Sequence, residues 1–410
     1  MCYLSLVIFL AAATSCAAAS KNIQPQINSL VAANHYDRAL TLLGDDPSVY
    51  GPHNHLLFWL DKGLAAHLAG RTKPSVAAFE QAEKLYEALY TKSISQMANT
   101  WIVNDTKEDY RGDEQEYVMV NVFQALNFAE AGNFEEALVE ARRMDQKLKN
   151  IGARYQNPFA YFLSGLLWQV SGEPNANEDA SIDYQKAAAI YESTPKVLKD
   201  LMQEAKDVSR GLRHLDKARV YVVEYTGFIP VKVADALAFP LDRTHLTKIS
   251  FPRYQDRFSE VASSQVKISR GGVAYVQPTE VVCDLGKLAR KILEGHKAAI
   301  VTKASIRPLL KYGVEKAIEI PLRDKAGDLA ADLFGIAGSI YNLATEEADL
   351  RTWQSLPEMI RIVYFDLDPG VYDIAVEDMA EDNSVTDRKN FQSLELRAGD
   401  VKFIVSRSRF

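Results

Sequence analysis

Residues 117–144, YVMVNVFQALNFAEAGNFEEALVEARRM, have the pattern of two helices joined by a tight turn. Apolar residues recur at helical spacing before Gly132-Asn133 and resume after it at Phe134. Such a hairpin leaves one apolar face open, so it predicts further hairpins packed on both sides. Small residues that let the two helices approach closely stand at Ala125, Ala137 and Ala141.

The same offsets of aromatic and small residues recur on both sides of this hairpin. Upstream they fall at Trp59, Gly63, Gly70, Ser75, Phe79 and Ala82, and a half-unit before them has Tyr36, Ala39 and Leu43. Downstream they fall at Tyr161, Gly165, Trp168 and Gly172 and, after a three-residue insertion, at Ala180, Tyr184 and Ala187. These offsets resemble divergent tetratricopeptide (TPR) units. We therefore predict a TPR-like helical repeat domain over residues 27–215.

Beyond residue 215 the apolar period changes to the alternation typical of half-buried strands. The predicted strands before a helical stretch are Ala218–Tyr225, Thr247–Phe251, Ala262–Ser269 and Val273–Val282. Those after it are Met359–Leu367, Val371–Asp378, Phe391–Leu396 and Val401–Val405. We predict a β-rich domain over residues 216–410, an antiparallel sandwich with a helical hairpin inserted at about 284–350. The predicted fold class is therefore α+β.

The N-terminus predicts export. Residues 1–15 contain an apolar run from Tyr3 to Ala13 and act as a signal peptide in this interpretation. Ala13-Thr14-Ser15-Cys16 resembles a bacterial lipobox, which implies cleavage before Cys16 and lipidation of its sulfur. Alternatives are an ordinary secretory signal peptide or a short buried helix. Residues 16–26 would form a tether, and Ala17 in place of aspartate favours the outer membrane, facing the periplasm.

Composition and motifs argue against several classes of function. The net charge of -7, with both signs mixed along the chain, predicts no nucleic-acid surface. The chain has no phosphate-binding loop, GxSxG elbow, HExxH pair or CxxC motif, so we predict no enzyme, cofactor or metal site. Cys283 is predicted to be a buried small hydrophobe, the pair His53 and His55 to be exposed, and Asp366–Gly370 to form a turn.

Four segments together resemble a family of TPR-containing bacterial envelope lipoproteins. They are Tyr110-Arg111-Gly112-Asp113-Glu114, LNFAEAGNFEEALVEARR, Ile306–Tyr312 and Ala348–Pro357. The resemblance implies architecture and an envelope location rather than chemistry. Positions that match the family's pattern are Tyr110, Gly112, Asn127, Glu140, Arg142, Arg143, Arg307, Lys311, Tyr312, Asp349, Arg351, Trp353 and Pro357.

Two groups of these residues suggest roles. Asn127, Glu140 and Arg143 are predicted to bind a partner's backbone or charged side chains in a groove between the helices. The alternative for Glu140 and Arg143 is a structural pair, because residues three apart on a helix are neighbours. Asp349 is expected to pair with Arg351 while Trp353 fills a pocket, which would lock the two domains together.

The sequence thus predicts a non-catalytic envelope lipoprotein that binds a protein or peptide partner through its TPR-like helices. It would act as a scaffold, assembly factor or regulator, held to the membrane by its lipid anchor and without nucleic acid. The alternatives are a cell-wall-acting enzyme and a structural subunit of an envelope complex.

Overall fold

The computed structural model describes residues 23–96, 108–209, 216–242, 245–326, 328, 331–333, 335–336 and 347–409. The predicted signal peptide, Cys16 and most of the predicted tether lie outside the described residues. So do residues 97–107.

Helices fill the first half of the described chain. They are α1 Gln24–Ala32, α2 Tyr36–Leu43, α3 His55–Leu68, α4 Thr72–Gln96, α5 Glu114–Glu130, α6 Phe134–Lys149, α7 Pro158–Ser171, α8 Ala176–Ile190 and α9 Lys196–Ser209. The predicted central hairpin is confirmed as α5 and α6. A capping box at Asp113 and Glu116 starts α5, and Gly132 with φ 72° makes the turn.

Strands fill most of the second half. They are β1 Ala218–Thr226, β2 Val231–Pro240, β3 Leu246–Gln255, β4 Ser263–Arg270, β5 Val273–Pro278, β6 Glu280–Asp284, β7 Met359–Leu367, β8 Gly370–Met379, β9 Val385–Asn390, β10 Leu394–Leu396 and β11 Val401–Arg407. A long helix, α10 Leu285–Ala326, separates β6 from β7. The α+β class, with helices first and sheets second, is confirmed.

The strands form two sheets and a separate hairpin. The first, which we call the middle sheet, has the order β11-β1-β7-β6. The second, the outer sheet, has the order β10-β8-β4-β5, and β9 also pairs with β8. Among the described strands, β2 and β3 pair only with each other. Pairing is antiparallel except between β1 and β11, which run parallel. The prediction of an antiparallel sandwich was therefore wrong for this pair, because β11 lies beside β1 and runs in the same direction.

The segment predicted as one strand over Val273–Val282 is two strands in different sheets. β5 pairs with β4 in the outer sheet, whereas β6 pairs with β7 in the middle sheet. Pro278 ends β5 because proline has no N–H to continue a ladder. Two strands that were not predicted, β2 and β9, complete the set.

The middle sheet is buried on both faces. Along β1, Tyr221, Val223 and Tyr225 belong to the core that the helices form. The alternate residues Val220 and Val222 pack instead against the outer sheet. Since successive strand side chains point to opposite faces, β1 joins three layers: helices, middle sheet and outer sheet.

The hairpin of β2 and β3 packs along α10, mainly through β3. At the hairpin tip, Asp242 accepts a hydrogen bond from the hydroxyl of Tyr312 at 2.9 Å. Among the described residues, no helix is long and apolar enough to cross a bilayer.

Candidate binding groove

Three adjoining depressions form a groove that runs from the helices to α10. We call them the helical depression, the tyrosine depression and the joint cleft, with cavity volumes of 560, 560 and 320 Å³ respectively. The first two share Glu87, Tyr117, Lys147 and Asn150. The last two share Arg111, Gly112, Asp113 and His296. Shared walls make the three depressions one continuous surface.

The helical depression lies on α4 and α6 and is lined by charged side chains. Lys147 donates to Glu83 at 2.8 Å, and Arg143 donates to Glu140 at 2.8 Å. The side chain of Arg143 is 46% exposed. Because a guanidinium has five N–H donors, Arg143 can hold Glu140 and still contact a partner. Arg143 can therefore form the structural pair with Glu140 and also contact a ligand, so the two interpretations of these residues are compatible.

Burial and neighbouring charges act on the two carboxyls of this depression. Burial raises the pKa of Glu140 above its usual value, although Asn121 donates a hydrogen bond to it. Burial also acts to raise the pKa of Glu83, but the Lys147 ammonium and the amide of Asn121 hold that pKa below its usual value. Glu83 therefore stays ionised at neutral pH and fixes Lys147 in place.

Asn127 is not part of the groove. It is 2% exposed, its Nδ2 donates to Ser75 Oγ at 2.8 Å, and its Oδ1 lies 2.8 Å from His67 Nδ1. His67 Nε2 lies in turn 3.0 Å from the hydroxyl of Tyr225 on β1. The structure thus brings Glu140 and Arg143 together and places Asn127 in a buried polar chain that links α3, α4, α5 and the middle sheet. Burial lowers the pKa of His67 to about 4, so this chain is neutral.

The joint cleft is built where the helices meet the sheets. Lys232 on β2 donates to Asp113 at 3.0 Å. Arg351 donates to Asp349 at 2.7 Å and to the backbone oxygen of Glu108 at 2.8 Å. Arg351 therefore ties the segment before β7 to the loop before α5, as predicted for a joint that locks the two parts of the chain together.

Glu116 and Trp353 form the buried floor beside this cleft. The backbone N–H of Trp353 donates to Glu116 at 2.8 Å, and the hydroxyl of Tyr110 donates to it at 2.6 Å. The Trp353 ring packs against Phe79 and Phe123 with centroid distances of 6.0 and 5.7 Å. The prediction that Trp353 fills a pocket is confirmed. Burial, with Asp113 nearby, raises the pKa of Glu116 to about 7.

The tyrosine depression has an aromatic wall with an unused hydrogen-bond donor. The rings of Tyr86 and Tyr117 lie 4.8 Å apart, and Lys147 Nζ lies 3.6 Å from the Tyr117 ring centroid. The buried hydroxyl of Tyr86 has no hydrogen-bond partner within the described part of the chain. Gly112, at φ 73°, allows this approach, since a β-carbon there would lie 2.5 Å from that hydroxyl. The Tyr86 hydroxyl is therefore an enclosed donor behind Gly112, and Tyr86 contributes to the wall of the depression through its ring.

The other sequence candidates are structural. His53 Nδ1 lies 3.0 Å from Asp109, and no group of three metal-binding side chains occurs among residues whose positions are described. Cys283 is buried, as predicted, and burial raises the pKa of its thiol above the usual value. The predicted turn at Asp366–Gly370 is confirmed between β7 and β8.

Three residues of the groove were not predicted from the sequence. Lys147 follows Arg143 by one helical turn, so the face of α6 offered a signal for it. Tyr86 resembles any buried aromatic residue, and no local pattern shows that its hydroxyl lacks a partner. Lys232 lies on β2, where Asp235 interrupts the apolar alternation that would have predicted a strand.

No protein-family model matches this chain, and no curated protein matches its sequence. The resemblance to envelope lipoproteins therefore stays a prediction. Lipidation of Cys16 also stays a prediction, because this cysteine lies outside the described residues.

Proposed function

We propose that this protein is a non-catalytic bacterial envelope lipoprotein that binds a protein or peptide partner and serves as a scaffold, assembly factor or regulator. The observation that carries the proposal is the continuous groove beside the helices. It is open and lined by charged residues of both signs, with Arg143 at one end and the Tyr86 ring further along. Such a surface suits a polar peptide segment better than a small apolar ligand.

Repeated helix contacts support a TPR-like character for the first half. A β-carbon at Gly63 would lie 2.5 Å from the ring of Phe79, and one at Gly165 would lie 2.5 Å from the ring of Tyr184. The two pairs therefore share one close contact between a glycine on a first helix and an aromatic ring on the second. Their spacings differ by the three-residue insertion noted in the sequence. This agreement favours divergent copies of one helical unit.

The second half, in this proposal, is a sandwich-like domain that supports the helices. The middle and outer sheets share an apolar core that includes Val222, Ile268 and Ile374. The other face of the middle sheet packs against the helices, so the sandwich holds the helical array in one position. A partner that binds the groove would meet a preformed surface, which lowers the conformational entropy lost on binding.

Binding would combine charge pairing with main-chain hydrogen bonds. The exposed guanidinium of Arg143 is suited to a partner carboxylate or backbone carbonyl, because charge-assisted bonds of arginine are short and directional. Glu80, Lys84 and Gln146 line the same depression and would add polar contacts. In this proposal, the lipid on Cys16 holds the groove at the periplasmic face of the outer membrane.

A site-specific crosslinking experiment tests the proposal. A photoreactive residue replaces Gln146 inside the groove in cells that express the chain with Cys16 or with Cys16→Ser. We expect one defined envelope protein to crosslink at this position. We expect Arg143→Glu to weaken its binding to the purified chain by roughly tenfold or more, as loss of a charge-assisted contact should do. Binding is measured by titration calorimetry.

The matched controls are a photoreactive residue at Glu395, which is exposed and far along the chain, and Arg397→Glu, another exposed arginine. Neither should change binding or capture the same protein. Equal capture at both positions, or equal affinity for Arg143→Glu and Arg397→Glu, would show that the groove is not the binding site. Unchanged membrane fractionation of Cys16→Ser would refute the lipid anchor independently of the groove.

A further inference from the structure

The strand β5 lies at the end of the outer sheet and has one open backbone edge. It pairs with β4 on one side, and all of its residues are exposed. In the described part of the chain, no strand pairs with its other side. Large apolar side chains stand along it, with exposed fractions of 57% for Val273, 47% for Tyr275 and 50% for Val276. A strand of this kind can accept another strand at its open edge.

The hydrogen bonds between β4 and β5 determine which main-chain groups face the open side. The N–H of Thr279 donates to the backbone oxygen of Ser264, its partner in register, at 2.9 Å. Hydrogen-bonded pairs alternate along an antiparallel ladder, so every second residue of β5, counted back from Thr279, is bonded to β4. The residues between them are Ala274, Val276 and Pro278. Proline has no N–H, so the donors at the open edge are those of Ala274 and Val276.

The other edges of the two sheets are covered or charged. Glu130 of α5 accepts from the backbone of β11, and the hydroxyl of Tyr191 donates to the backbone of β6 at 2.5 Å. On the far side of the outer sheet, β9 contains Asp387–Lys389 and β10 contains Glu395. Among the described strands, β5 alone has no charged residue. Charges on an edge strand discourage pairing with another chain, and β5 lacks them.

We propose that β5 pairs with β5 of a second copy of this chain, antiparallel and around a two-fold axis at Tyr275. In this register Ala274 lies opposite Val276 of the second copy, so each open N–H meets an open C=O. A shift that sets Val276 opposite itself would place Ala274 opposite Pro278, which has no N–H. The opposite shift would place Val276 opposite Gly272, in the turn. The register that uses every donor is therefore self-complementary, as a two-fold contact between identical chains requires.

Side chains and charges suit this pairing. The two Tyr275 side chains would lie directly opposite each other, and cross-strand aromatic pairs are stabilising. No charge of β5 would meet its copy. Lys267 of β4 and its copy would be separated by three strand spacings, about 14 Å, which exceeds the Debye length of ~8 Å at physiological ionic strength. No residue of β5 lines the groove, so a dimer would present two grooves.

Disulfide trapping tests both the partner and the register. Each chain carries Cys2→Ser, Cys16→Ser and one new cysteine, while Cys283 is buried. Directly opposed residues that are not hydrogen-bonded to each other have Cα atoms ~4.5 Å apart, which a disulfide can span. We expect Tyr275→Cys to form a disulfide-linked dimer at least roughly tenfold faster than Phe258→Cys, because pairing raises the local thiol concentration. Phe258 is 83% exposed outside β5, so random collision would favour the control.

The register makes a second prediction for the same experiment. Val273→Cys and Gln277→Cys should link when two differently tagged chains are mixed, since these positions would lie opposite each other. Neither should link to itself, because its copy would lie about 14 Å away along the strand. Equal rates at positions 258 and 275, or linkage of Val273→Cys with itself, would overturn the proposal. Linkage of Tyr275→Cys to a different protein in cells, with none between purified chains, would assign the edge to another partner instead.

Charge substitutions at the two-fold axis measure the same contact without oxidation. Tyr275→Asp should raise the dimer dissociation constant by roughly tenfold or more, because like charges then lie directly opposite. Tyr275→Lys should do the same, whereas a mixture of the two variants should restore the dimer. Phe258→Asp is the matched control and should stay within about twofold of the unsubstituted chain.

Sedimentation equilibrium of the full chain measures these constants, in a mild detergent because residues 3–13 are apolar. Circular dichroism confirms that each variant is folded. If the mixture of Tyr275→Asp and Tyr275→Lys associates no more tightly than either variant alone, the two β5 strands do not face each other and the inference fails.

Discussion

At the scale of single residues, Gly63 sets the distance between α3 and α4 because it has no side chain. Gly63 lies where α3 crosses α4, and the ring of Phe79 occupies the space that a β-carbon would need. The hydroxyl of Ser75 also donates to the backbone oxygen of Gly63 at 2.8 Å. The pair α3 and α4 can therefore be this close because position 63 is glycine.

Gly63→Ala should destabilise the protein. The added methyl must displace the Phe79 ring, and such overpacking costs about 1–3 kcal/mol. Gly313→Ala in α10 is the control, because no described atom lies within 4 Å of the position its β-carbon would take. That change should be neutral or stabilising by about 0.5–1 kcal/mol, as alanine favours helix over glycine. Thermal unfolding followed by circular dichroism should separate the two. A lower midpoint for Gly313→Ala than for Gly63→Ala would refute this account of the contact.

Individual residues differ in how far the sequence predicts their surroundings. The pair of Glu140 and Arg143 follows from spacing on one helix, and the structure contains it. The partners of Asn127 do not follow from spacing, because His67 and Ser75 come from another hairpin. Burial is decided by how helices stack, and a residue's own neighbours in sequence do not encode that stacking. The spacing accordingly predicted which two residues lie together, but it could not show that Asn127 is enclosed, and partner binding by Glu140 and Arg143 stays a prediction.

At the scale of elements, α5 closes the open side of β11. Glu130, the last residue of α5, accepts a hydrogen bond from the backbone N–H of Val405 at 3.0 Å. Burial raises the pKa of Glu130 from 4.5 to about 7, although this hydrogen bond and Lys389 act in the opposite direction. A carboxyl therefore takes the place that a neighbouring strand would have at this edge.

The raised pKa of Glu130 predicts pH-dependent stability. The carboxyl is protonated in the folded state at pH values where it is ionised in the unfolded chain. Its stabilising contribution is thus complete below about pH 4.5 and is lost as the pH rises through 7. Urea unfolding of the wild type should show a decrease between pH 5 and pH 8 that is about 1–3 kcal/mol larger than for Glu130→Gln. Glu395→Gln, an exposed control, should keep the wild-type pH dependence, and the same dependence in Glu130→Gln would contradict the assignment.

Elements were predictable where a single periodicity ran without interruption. Met359–Leu367 is apolar through most of a strand that is buried on both faces, and the predicted and observed bounds of β7 coincide. β9, Val385–Asn390, is polar along most of its length, so alternation gave no signal. Its strand conformation comes from pairing with β8, a contact between segments that the sequence pattern does not specify.

At the scale of the whole molecule, the helices and the middle sheet share one apolar core. Tyr221 and Phe403 of the sheet belong to the same buried cluster as Phe123 and Phe162 of the helices. The sequence predicts two domains, yet periodicity within a segment reveals only that a face is apolar, not what covers it. The order of strands in the sheets was likewise beyond prediction, because it depends on contacts between distant segments.

The shared core predicts a single cooperative unfolding transition. Separating the helices from the middle sheet would expose both faces of this core to water, so neither part should remain folded alone. Differential scanning calorimetry should give one peak whose calorimetric and van't Hoff enthalpies agree. Glu130→Gln should shift that peak without splitting it. Two resolved peaks, or a calorimetric enthalpy well above the van't Hoff value, would show that the predicted domains unfold independently.

The parallel pair of β1 and β11 also has a consequence for the order of events during synthesis. β1 ends at Thr226, whereas β11 begins only at Val401. The helices and β1 leave the ribosome long before the strand that completes their sheet. Until β11 is synthesised, the backbone N–H and C=O groups on one edge of β1 can form hydrogen bonds only with water or with a chaperone. Completion of the middle sheet is thus timed by the synthesis of residues 401–407, and a chain that ends before them would be left with an unpaired edge at the centre of the molecule.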